Sequence, residues 1–304
     1  MSVHNAYLTL SGAISAEVRL DERLSRHTSY RIGGPAALYV APRTYEALKR
    51  TLAVLSDEAV PWVILGRGSN LLVSDAGYEG CAISLAGEFS RVRVGEGATI
   101  TAGAGAALSQ LVSTAMKEGL SGLECCAGIP GSVGGAVSMD AGTRRQWIGR
   151  RVRDLVVLRP DGTMHRYAGS DVEWGYRSTS LPTTEIILEA TFELAPSTKE
   201  AVTADMEERL RERRASQPLG APSCGSVFRN PPDGSAGALI ESCGLKGASL
   251  GAAQISSEHA NFIVNRGGAT AADVIGLIAR AHDEVLRRHG VDLACEVKLL
   301  GFGA

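Results

Sequence analysis

The chain has 304 residues, of which 44% are hydrophobic and 21% are charged. A chain of this length is too long for one small core, so two or three packed units are expected. The 31 Lys and Arg residues nearly balance the 33 Asp and Glu residues, for a net charge of -2. No basic field is therefore present to attract nucleic acid or anionic lipid. No apolar run approaches the roughly 18 residues that span a bilayer, and a cytoplasmic protein is expected.

The cysteines show no metal-site or disulfide pattern. They contain no C-x-x-C pair and have no histidine partner at zinc-finger spacing. We predict reduced thiols that pack as small apolar side chains, and no metal site. The six residues are Cys81, Cys125, Cys126, Cys224, Cys243 and Cys295.

Strand and helix patterns alternate up to about residue 195. Pro160-Asp161-Gly162 predicts a hairpin turn within a region of strands, and Gly119 ends a helix. The order of the elements is typical of an α+β fold, not of a regular βαβ repeat. The predicted elements are a helix over 44–55, a strand over 62–65, strands over 92–104, a helix over 108–115 and strands over 150–195.

The pattern changes near residue 196, where we predict a domain boundary. Ser197-x-x-Glu200 is a capping-box pattern that opens a charged helix, which runs to about Ser216. The elements predicted after it are a short helix that ends at Gly244, strands over 252–255 and 261–264, a helix from Thr270 to Gly290 and a last strand over 295–300.

A short glycine loop, GRGSN at residues 66–70, follows the predicted strand over 62–65. A Rossmann fingerprint does not fit, because Leu71 occupies the third glycine position and Asp75 lies in an early turn. A P-loop does not fit either, since no Gly-Lys-Ser/Thr follows. A nest of backbone N–H groups remains, with Ser69 and Asn70 as side-chain donors, which suits a diphosphate.

A second glycine cluster is GIPGSVGGA at residues 128–136. Each loop alone is typical of a tight turn, whereas two such loops in one α+β unit favour a long dinucleotide that lies across both. The predicted cofactor-binding residues are Gly66, Arg67, Gly68, Ser69, Asn70, Leu71, Gly128, Ile129, Pro130, Gly131, Ser132, Gly134 and Gly135.

Eight ordered motifs along nearly the whole chain resemble one family, the UDP-N-acetylenolpyruvoylglucosamine reductases (MurB, UDP-N-acetylmuramate dehydrogenases) of peptidoglycan synthesis. Any one motif alone is weak, but eight in order are specific. They are HTSYRIGGPA from His27, GRGSNLLVSDAGYEG from Gly66, GLECCAGIPGSVGGAV from Gly122, YRSTSL from Tyr176, GSVFRNP from Gly225, LIESCGLKG from Leu239, SEHANFIVNRGGAT from Ser257 and CEVKLLG from Cys295.

The resemblance implies an α+β fold with a two-part FAD-binding unit of the vanillyl-alcohol-oxidase (PCMH) type and a C-terminal α+β substrate domain. The implied spans are 1–84 and 85–196 for the two FAD-binding subdomains and 197–304 for the substrate domain. It also implies FAD and NADPH as cofactors, a cytoplasmic location and a part in cell wall biogenesis, cell shape and cell division. We expect a monomer or weak dimer.

The reaction of this family reduces the enolpyruvyl ether of UDP-N-acetylglucosamine to UDP-N-acetylmuramate, after NADPH has reduced FAD. By resemblance, Ser226 in GSVFRNP is the proton donor, and Arg177 and Glu296 polarise the substrate carboxylate. Glu296 is expected to be protonated in the complex, because two adjacent carboxylates repel each other. The further substrate-binding candidates are Tyr176, Arg229 and Asn230.

Three positions depart from the usual family pattern: Asp140 stands in place of Asn, Arg229 in place of Lys, and Leu-Ala-Cys before Glu296 where a Pro is typical. Asp140 introduces a negative charge close to the predicted flavin loop. Two alternatives stay open. One is a flavin oxidase on the same FAD fold, and the other is a non-catalytic paralogue that binds a nucleotide sugar.

Overall fold

The computed structural model describes residues 2–143 and 145–303. The chain forms two compact units. Unit 1 consists of Met1–Arg19, Leu38–Arg67 and Cys81–Glu212, and unit 2 consists of Leu20–Ala37, Gly68–Gly80 and Arg213–Ala304. The three domain spans predicted from the sequence, which end at residues 84, 196 and 304, stay a prediction.

The helices are amphipathic or capped at positions that the sequence marks. The predicted helix over 44–55 is confirmed as α2, because the Thr44 hydroxyl accepts a hydrogen bond from Ala47 N at 3.2 Å and caps its first turn. The α-helices of the described residues are α1 Val3–Leu10, α2 Tyr45–Asp57, α3 Leu108–Lys117, α4 Val133–Ser138, α5 Lys199–Ser216, α6 Ala236–Ser242 and α7 Ala271–His289.

The strands are short, and the longest have eight residues. In chain order they are β1 Ala16–Arg23, β2 Pro35–Pro42, β3 Trp62–Ile64, β4 Leu71–Val73, β5 Tyr78–Ile83, β6 Val92–Val94, β7 Thr99–Gly103, β8 Leu120–Ser121, β9 Val152–Leu158, β10 Met164–Ala168, β11 Trp174–Gly175, β12 Ser178–Thr179, β13 Ile186–Glu193, β14 Ala195–Pro196, β15 Ser249–Leu250, β16 Ala253–Ile255, β17 Ile263–Asn265 and β18 Lys298–Leu300.

A five-stranded antiparallel sheet lies in unit 1, in the order β10-β9-β13-β7-β6. Its inward side chains, with α3 and α4, form one core that contains Phe192, Leu155 and Leu111. The hairpin between β9 and β10 turns where the sequence predicts it. Asp161 Oδ1 accepts hydrogen bonds from Thr163 N and Oγ1, at 2.9 and 2.6 Å, and so fixes the turn.

A second sheet has four strands in the order β1-β2-β5-β3, with β3 and β5 parallel from Trp62–Ile64 to Cys81–Ile83. Helices α1 and α2 pack with it in unit 1. The core there includes the fully buried side chains of Leu10, Leu38 and Leu48. The strand predicted over 62–65 is thereby confirmed as a short parallel strand.

Unit 2 contains the antiparallel sheet β15-β16-β17, helices α6 and α7, and the parallel pair of β4 and β18. Helix α7 has a capping box of Thr270 and Asp273 and ends at Gly290, whose φ is +67°. Asp75 adds a second cap, since its carboxylate accepts hydrogen bonds from Ala271 N and Ala272 N at 2.8 and 3.1 Å. The start and the end predicted for this helix are confirmed.

Several predicted element starts after residue 196 are wrong, such as that of the strand predicted over 261–264, which begins at Ile263. Helix α5 begins at Lys199, and its first turn is capped by Thr198 instead of Ser197, because Ser197 N still donates to Gly119 O beside the β8–β14 pair. The last strand begins at Lys298 and not at residue 295, because Glu296 N and Val297 N both donate to Val227 O. For Ser197 and for Glu296, a carbonyl oxygen from a distant part of the chain accepts a hydrogen bond from the backbone N–H, which is then not available to the predicted element.

All six cysteines are free thiols, and five of them are buried, as predicted. Cys295 is exposed, so the prediction that every cysteine packs as an apolar side chain is wrong there. Among residues 2–143 and 145–303, no helix combines the length and the apolar composition that a membrane crossing requires.

Gly68, in the first glycine loop, has a backbone conformation and a close contact that only glycine accommodates without strain. Its φ is +60°, and a Cβ there would overlap the carbonyl oxygen of His27. Gly97 has a similar φ of +64° but open space around it. Gly97→Ala should cost about 1 kcal/mol through its φ alone. Gly68→Ala should cost about 3 kcal/mol or more, because overlap is added to strain. Thermal unfolding of the two variants measures the difference, and equal losses would contradict the stated packing.

Candidate active site

The two predicted cofactor loops meet within unit 1. A Cβ placed on Gly66 would lie 2.7 Å from Ser132 Oγ. The same hydroxyl caps helix α4, since it accepts a hydrogen bond from Gly135 N at 3.2 Å. Gly66 is therefore a position where the backbone of one loop passes close to a side chain of the other. The prediction that both loops belong to one site gains a geometric basis from this contact.

The second glycine cluster is partly helical, which the sequence analysis did not predict. Helix α4 begins at Val133, so Gly134 and Gly135 lie in its first turn. Gly134 N donates to Ala104 O at 2.8 Å, and Ile129 N donates to Cys126 O at 3.1 Å. These N–H groups hold the cluster in place against the rest of unit 1. The sequence does not indicate this helix, because the two glycines in its first turn have a low helix propensity.

The remainder of the first loop, Gly68 to Leu71, lies in unit 2. Gly68 O accepts hydrogen bonds from Ser29 N and Ser29 Oγ at 3.1 and 3.2 Å. The Ser29 hydroxyl is also 2.6 Å from Ser223 O, its better acceptor. Ser29 therefore joins this part of the loop to the segment that leads to Ser226. It lies in the motif HTSYRIGG, and the sequence analysis assigned it no role.

Asn70 connects the same loop to Glu296. Its side-chain amide donates to Glu296 O at 3.1 Å, and Lys298 N donates to Asn70 O at 3.1 Å. From this point β4 and β18 run in parallel, with Leu71 opposite Lys298. Asn70 was predicted as a donor to a phosphate. The structure shows that its amide also fixes the backbone of a predicted catalytic residue.

Ser226 and Glu296 lie on adjacent segments of unit 2. Glu296 N donates to Val227 O at 2.8 Å, and Phe228 forms an antiparallel bridge with Cys295. Glu296 is 9% exposed. The backbone segments that carry the two predicted catalytic residues are thus hydrogen-bonded to each other, although 69 residues lie between Ser226 and Glu296 in the chain.

A buried asparagine, Asn261, holds the Ser226 segment from the other side. Its Oδ1 accepts from Phe228 N at 2.9 Å, and its Nδ2 donates to Phe228 O at 2.8 Å. Val227 N donates to Asn261 O at 2.8 Å. A polar amide that is 2% exposed must have partners inside the protein. Asn261 is not among the residues predicted from the sequence, although an Asn inside the apolar run ANFIV is the signal that points to it.

Tyr176 and Arg177 form the two-residue turn between β11 and β12, in unit 1. Arg177 has a φ of +60°, which is unfavourable for a side chain with a Cβ. Its guanidinium carbon lies 5.4 Å from the centre of the Tyr176 ring, and Nη1 donates to Gly142 O at 3.3 Å. A strained backbone at a charged residue is typical of functional sites.

Asp140 is a buried carboxylic acid, 4% exposed, that accepts a hydrogen bond from Gly149 N at 2.9 Å. Burial raises the pKa of Asp140 from 3.8 to about 6. The hydrogen bond from Gly149 and the charges of Arg177 and Arg150 act in the opposite direction. The negative charge predicted at this position is therefore largely present at pH 7 and is lost as the pH falls through about 6.

Arg229 and Asn230 follow the Ser226 segment in unit 2. Arg229 N donates to Ala294 O at 2.9 Å, and within the part of the chain that the structure describes its buried Nε has no hydrogen-bond partner. Such a donor is costly unless a ligand or water satisfies it. Asn230 Oδ1 accepts from Ala236 N at 3.0 Å at the start of α6, so its carbonyl oxygen has a structural role.

Part of the donor set of the two loops fits a dinucleotide diphosphate, since the N–H groups of Ile129, Gly134 and Gly135 are already hydrogen-bonded within unit 1. Gly66 and Gly128 are exposed, and the φ angles of Gly128 and Gly131 are +72° and +152°. Glycine leaves the backbone N–H groups uncovered, and such groups bind phosphate oxygens. Arg67 is exposed and adds a permanent positive charge beside them.

Asp140 should make stability depend on pH. Its pKa is raised in the folded state, so the proton is bound more tightly there, and stability falls as pH rises from about 4 to about 6. A shift of this size corresponds to about 3 kcal/mol. Asp140→Asn removes the ionisable group and should raise the unfolding temperature at pH 7.5 much more than at pH 4.5. Thermal melts at the two pH values measure this, and an equal effect at both would contradict a buried, titrating Asp140.

Two family profiles match the chain. The profile of the FAD binding domain matches residues 36–168, and that of the UDP-N-acetylenolpyruvoylglucosamine reductase, C-terminal domain, matches residues 217–300. The first range contains every predicted cofactor-binding residue. The second contains Ser226, Arg229, Asn230 and Glu296, whereas Arg177 lies between the two ranges.

Relatives match over almost their full length. UDP-N-acetylenolpyruvoylglucosamine reductase 2 of Symbiobacterium thermophilum is 45% identical over 93% of this chain and 92% of its own. The reductase of Moorella thermoacetica is 44% identical over 97% of each chain. The crystal structure of UDP-N-acetylenolpyruvylglucosamine reductase (MurB) from Thermus caldophilus has a TM-score of 0.82 and 38% identity, and the match covers 94% of this chain and 98% of that one.

These matches confirm the predicted α+β fold, with an FAD-binding domain followed by a C-terminal domain of the reductase type. They also confirm that the chain is a flavoprotein oxidoreductase. The chain belongs to the UDP-N-acetylenolpyruvoylglucosamine reductase (MurB) family.

Proposed function

We propose that this protein reduces UDP-N-acetylglucosamine enolpyruvate to UDP-N-acetylmuramate, with NADPH as the source of electrons and FAD as the carrier. The observation that carries the proposal is the match over more than nine tenths of the chain to reductases named for this substrate. The match to the C-terminal domain profile spans Ser226 and Glu296. The reaction belongs to peptidoglycan precursor synthesis, and we place it in the cytoplasm.

The cofactor would be held by the backbone of the two glycine loops, Gly66 to Leu71 and Gly128 to Gly135, with Arg67 and Ser69 as polar side chains. When bound, FAD supplies two-electron hydride chemistry. The reaction then has two halves that share one site: oxidation of NADPH, followed by reduction of the enolpyruvyl group. The proposed kinetic sequence is ping-pong.

The residues of this chain have three tasks in the second half. Arg177 binds the substrate carboxylate with two parallel hydrogen bonds, which a guanidinium is suited to form. Glu296, in its protonated form, donates a further hydrogen bond to that carboxylate and stabilises the charge that develops there. Ser226 transfers its hydroxyl proton to the carbon beside the carboxylate.

The nucleotide part of the substrate would bind through Tyr176, Arg229 and Asn230. The buried Nε of Arg229 supports this for a phosphate, because a charged acceptor would satisfy that donor. The exposed ring of Tyr176 provides a flat surface for a sugar or a base.

We retain the spans 1–84, 85–196 and 197–304 as the proposed domains, and a monomer or weak dimer as the proposed oligomeric state.

A two-step anaerobic titration of the holoprotein tests the proposal. NADPH should bleach the flavin absorbance, and the enolpyruvyl substrate should restore it, whereas UDP-N-acetylmuramate should not. Rapid reoxidation by air but not by the substrate would favour a flavin oxidase. A colourless protein that takes up no FAD would favour a non-catalytic paralogue. Either of these results would overturn the proposal.

A further inference from the structure

Asp140 closes a loop in unit 1. The residue follows helix α4 and has a φ of +41°. Its Oδ1 accepts from Gly149 N at 2.9 Å, and beside it Ile148 N donates to Ala141 O at 2.9 Å. The two ends of the loop from Asp140 to Gly149 are therefore held together by one buried carboxyl group and one backbone hydrogen bond.

The same loop supports the Arg177 guanidinium. Arg177 Nη1 donates to the carbonyl oxygen of Gly142, two residues after Asp140. Gly142 lies inside this closed loop, where it forms an antiparallel bridge with Trp147 and its Cα packs closely on the Trp147 backbone. A substitution at Asp140 can thus alter the position of the Arg177 guanidinium through the loop backbone, and alter its interactions through the loss of charge.

The electrostatic surroundings of Asp140 come from three elements. Arg177 faces it from the β11–β12 turn, and Arg150 faces it from the turn Ile148–Arg151. Cys126, in the turn Glu124–Cys126, carries a thiol whose pKa is raised most by Cys125 and also by the Asp140 charge. The Trp174 ring packs on Gly149, next to the Asp140 carboxyl group. The guanidinium groups of Arg177 and Arg150 therefore both interact with the Asp140 carboxylate. The Arg150 guanidinium carbon also lies 3.9 Å from the centre of the Trp147 ring.

We propose that Asp140 is a positioning residue that acts through Arg177: its carboxyl group fixes the loop that supports the guanidinium, and its ionisation weakens the hold of Arg177 on the substrate carboxylate. The inference rests on the proposed function, in which Arg177 binds that carboxylate. An ionised Asp140 competes with the substrate for the same positive charge, whereas a protonated Asp140 leaves that charge to the substrate.

The consequence is a binding affinity that changes near pH 6, the range in which Asp140 titrates. The substrate carboxylate is fully ionised above about pH 5 and does not itself change there. Affinity for a carboxylate-bearing ligand should fall by about three- to tenfold from pH 5.5 to pH 7.5, which is the low end of a typical coupling because part of Asp140 is already ionised at pH 5.5. A ligand without the carboxylate should show no such change.

Equilibrium binding to the holoprotein tests this with two ligands, UDP-N-acetylmuramate and UDP-N-acetylglucosamine, which differ by the lactyl ether group that bears the carboxylate. The pH dependence of the ratio of their dissociation constants reports on that carboxylate, because the rest of the lactyl group does not ionise. In the wild type the ratio should change three- to tenfold between pH 5.5 and pH 7.5. In Asp140→Asn, which keeps an oxygen for Gly149 N, the part of this change that depends on Asp140 should be lost, and the pH dependence that remains belongs to Glu296, which the proposed function also places on the carboxylate. Asp140→Ala removes that oxygen and should weaken carboxylate binding at every pH.

Asp154→Asn is the matched control, because Asp154 is a carboxylate of unit 1 that pairs with Arg153 and Arg166. It should keep the wild-type profile. An Asp140→Asn variant with the wild-type pH dependence, or one as defective as Asp140→Ala throughout, would overturn the inference while ligand binding itself stays intact. If the wild type bound neither ligand, the proposed function would fail and this inference with it.

Discussion

The hydrogen bond from the Asn70 amide to the Glu296 carbonyl joins the end of a cofactor loop to a catalytic candidate. It is reinforced by the parallel pairing of Leu71–Val73 with Lys298–Leu300, and by the hydrogen bond from Glu296 N to Val227 O. Within unit 2 the loop, Glu296 and the Ser226 segment are therefore parts of one hydrogen-bonded framework. Catalytic groups need placement to within about 0.5 Å, and a framework of backbone hydrogen bonds can provide it.

Unit 1 supplies a different kind of constraint, which is strain and buried charge. Arg177 has a positive φ, and Asp140 is a carboxyl group kept from water, beside two arginines. Both features cost stability and persist only where the surrounding structure holds them. Asp140 also makes the charge near Arg177 depend on pH, which an amide at the same position would not do. In the proposal above, the geometry of the loop and the charge of Asp140 together determine how strongly Arg177 binds an anionic ligand.

Local features of this structure could be predicted from the sequence, because they depend on a few neighbouring residues. The Thr44 and Thr270 caps, the turn at Asp161 and the stop at Gly290 are of this kind. Contacts over long separations could not, since no local pattern encodes them. Asn70 and Glu296 are 226 residues apart, and the clamp of Asn261 on Phe228 spans 33 residues. The site residues themselves came from ordered motifs, not from any geometry that the sequence alone can show.

Ser226 is the residue on which the proposed reaction depends most, because that reaction needs a proton donor. The most direct measurement is the rate at which the enolpyruvyl substrate reoxidises the reduced Ser226→Ala holoprotein under anaerobic conditions. We expect bleaching by NADPH at the wild-type rate and reoxidation slowed by roughly 10²-fold or more, since a positioned acid contributes about that much. Ser249→Ala, at an exposed serine of the same unit, should behave as the wild type. Reoxidation of Ser226→Ala at the wild-type rate would contradict the account.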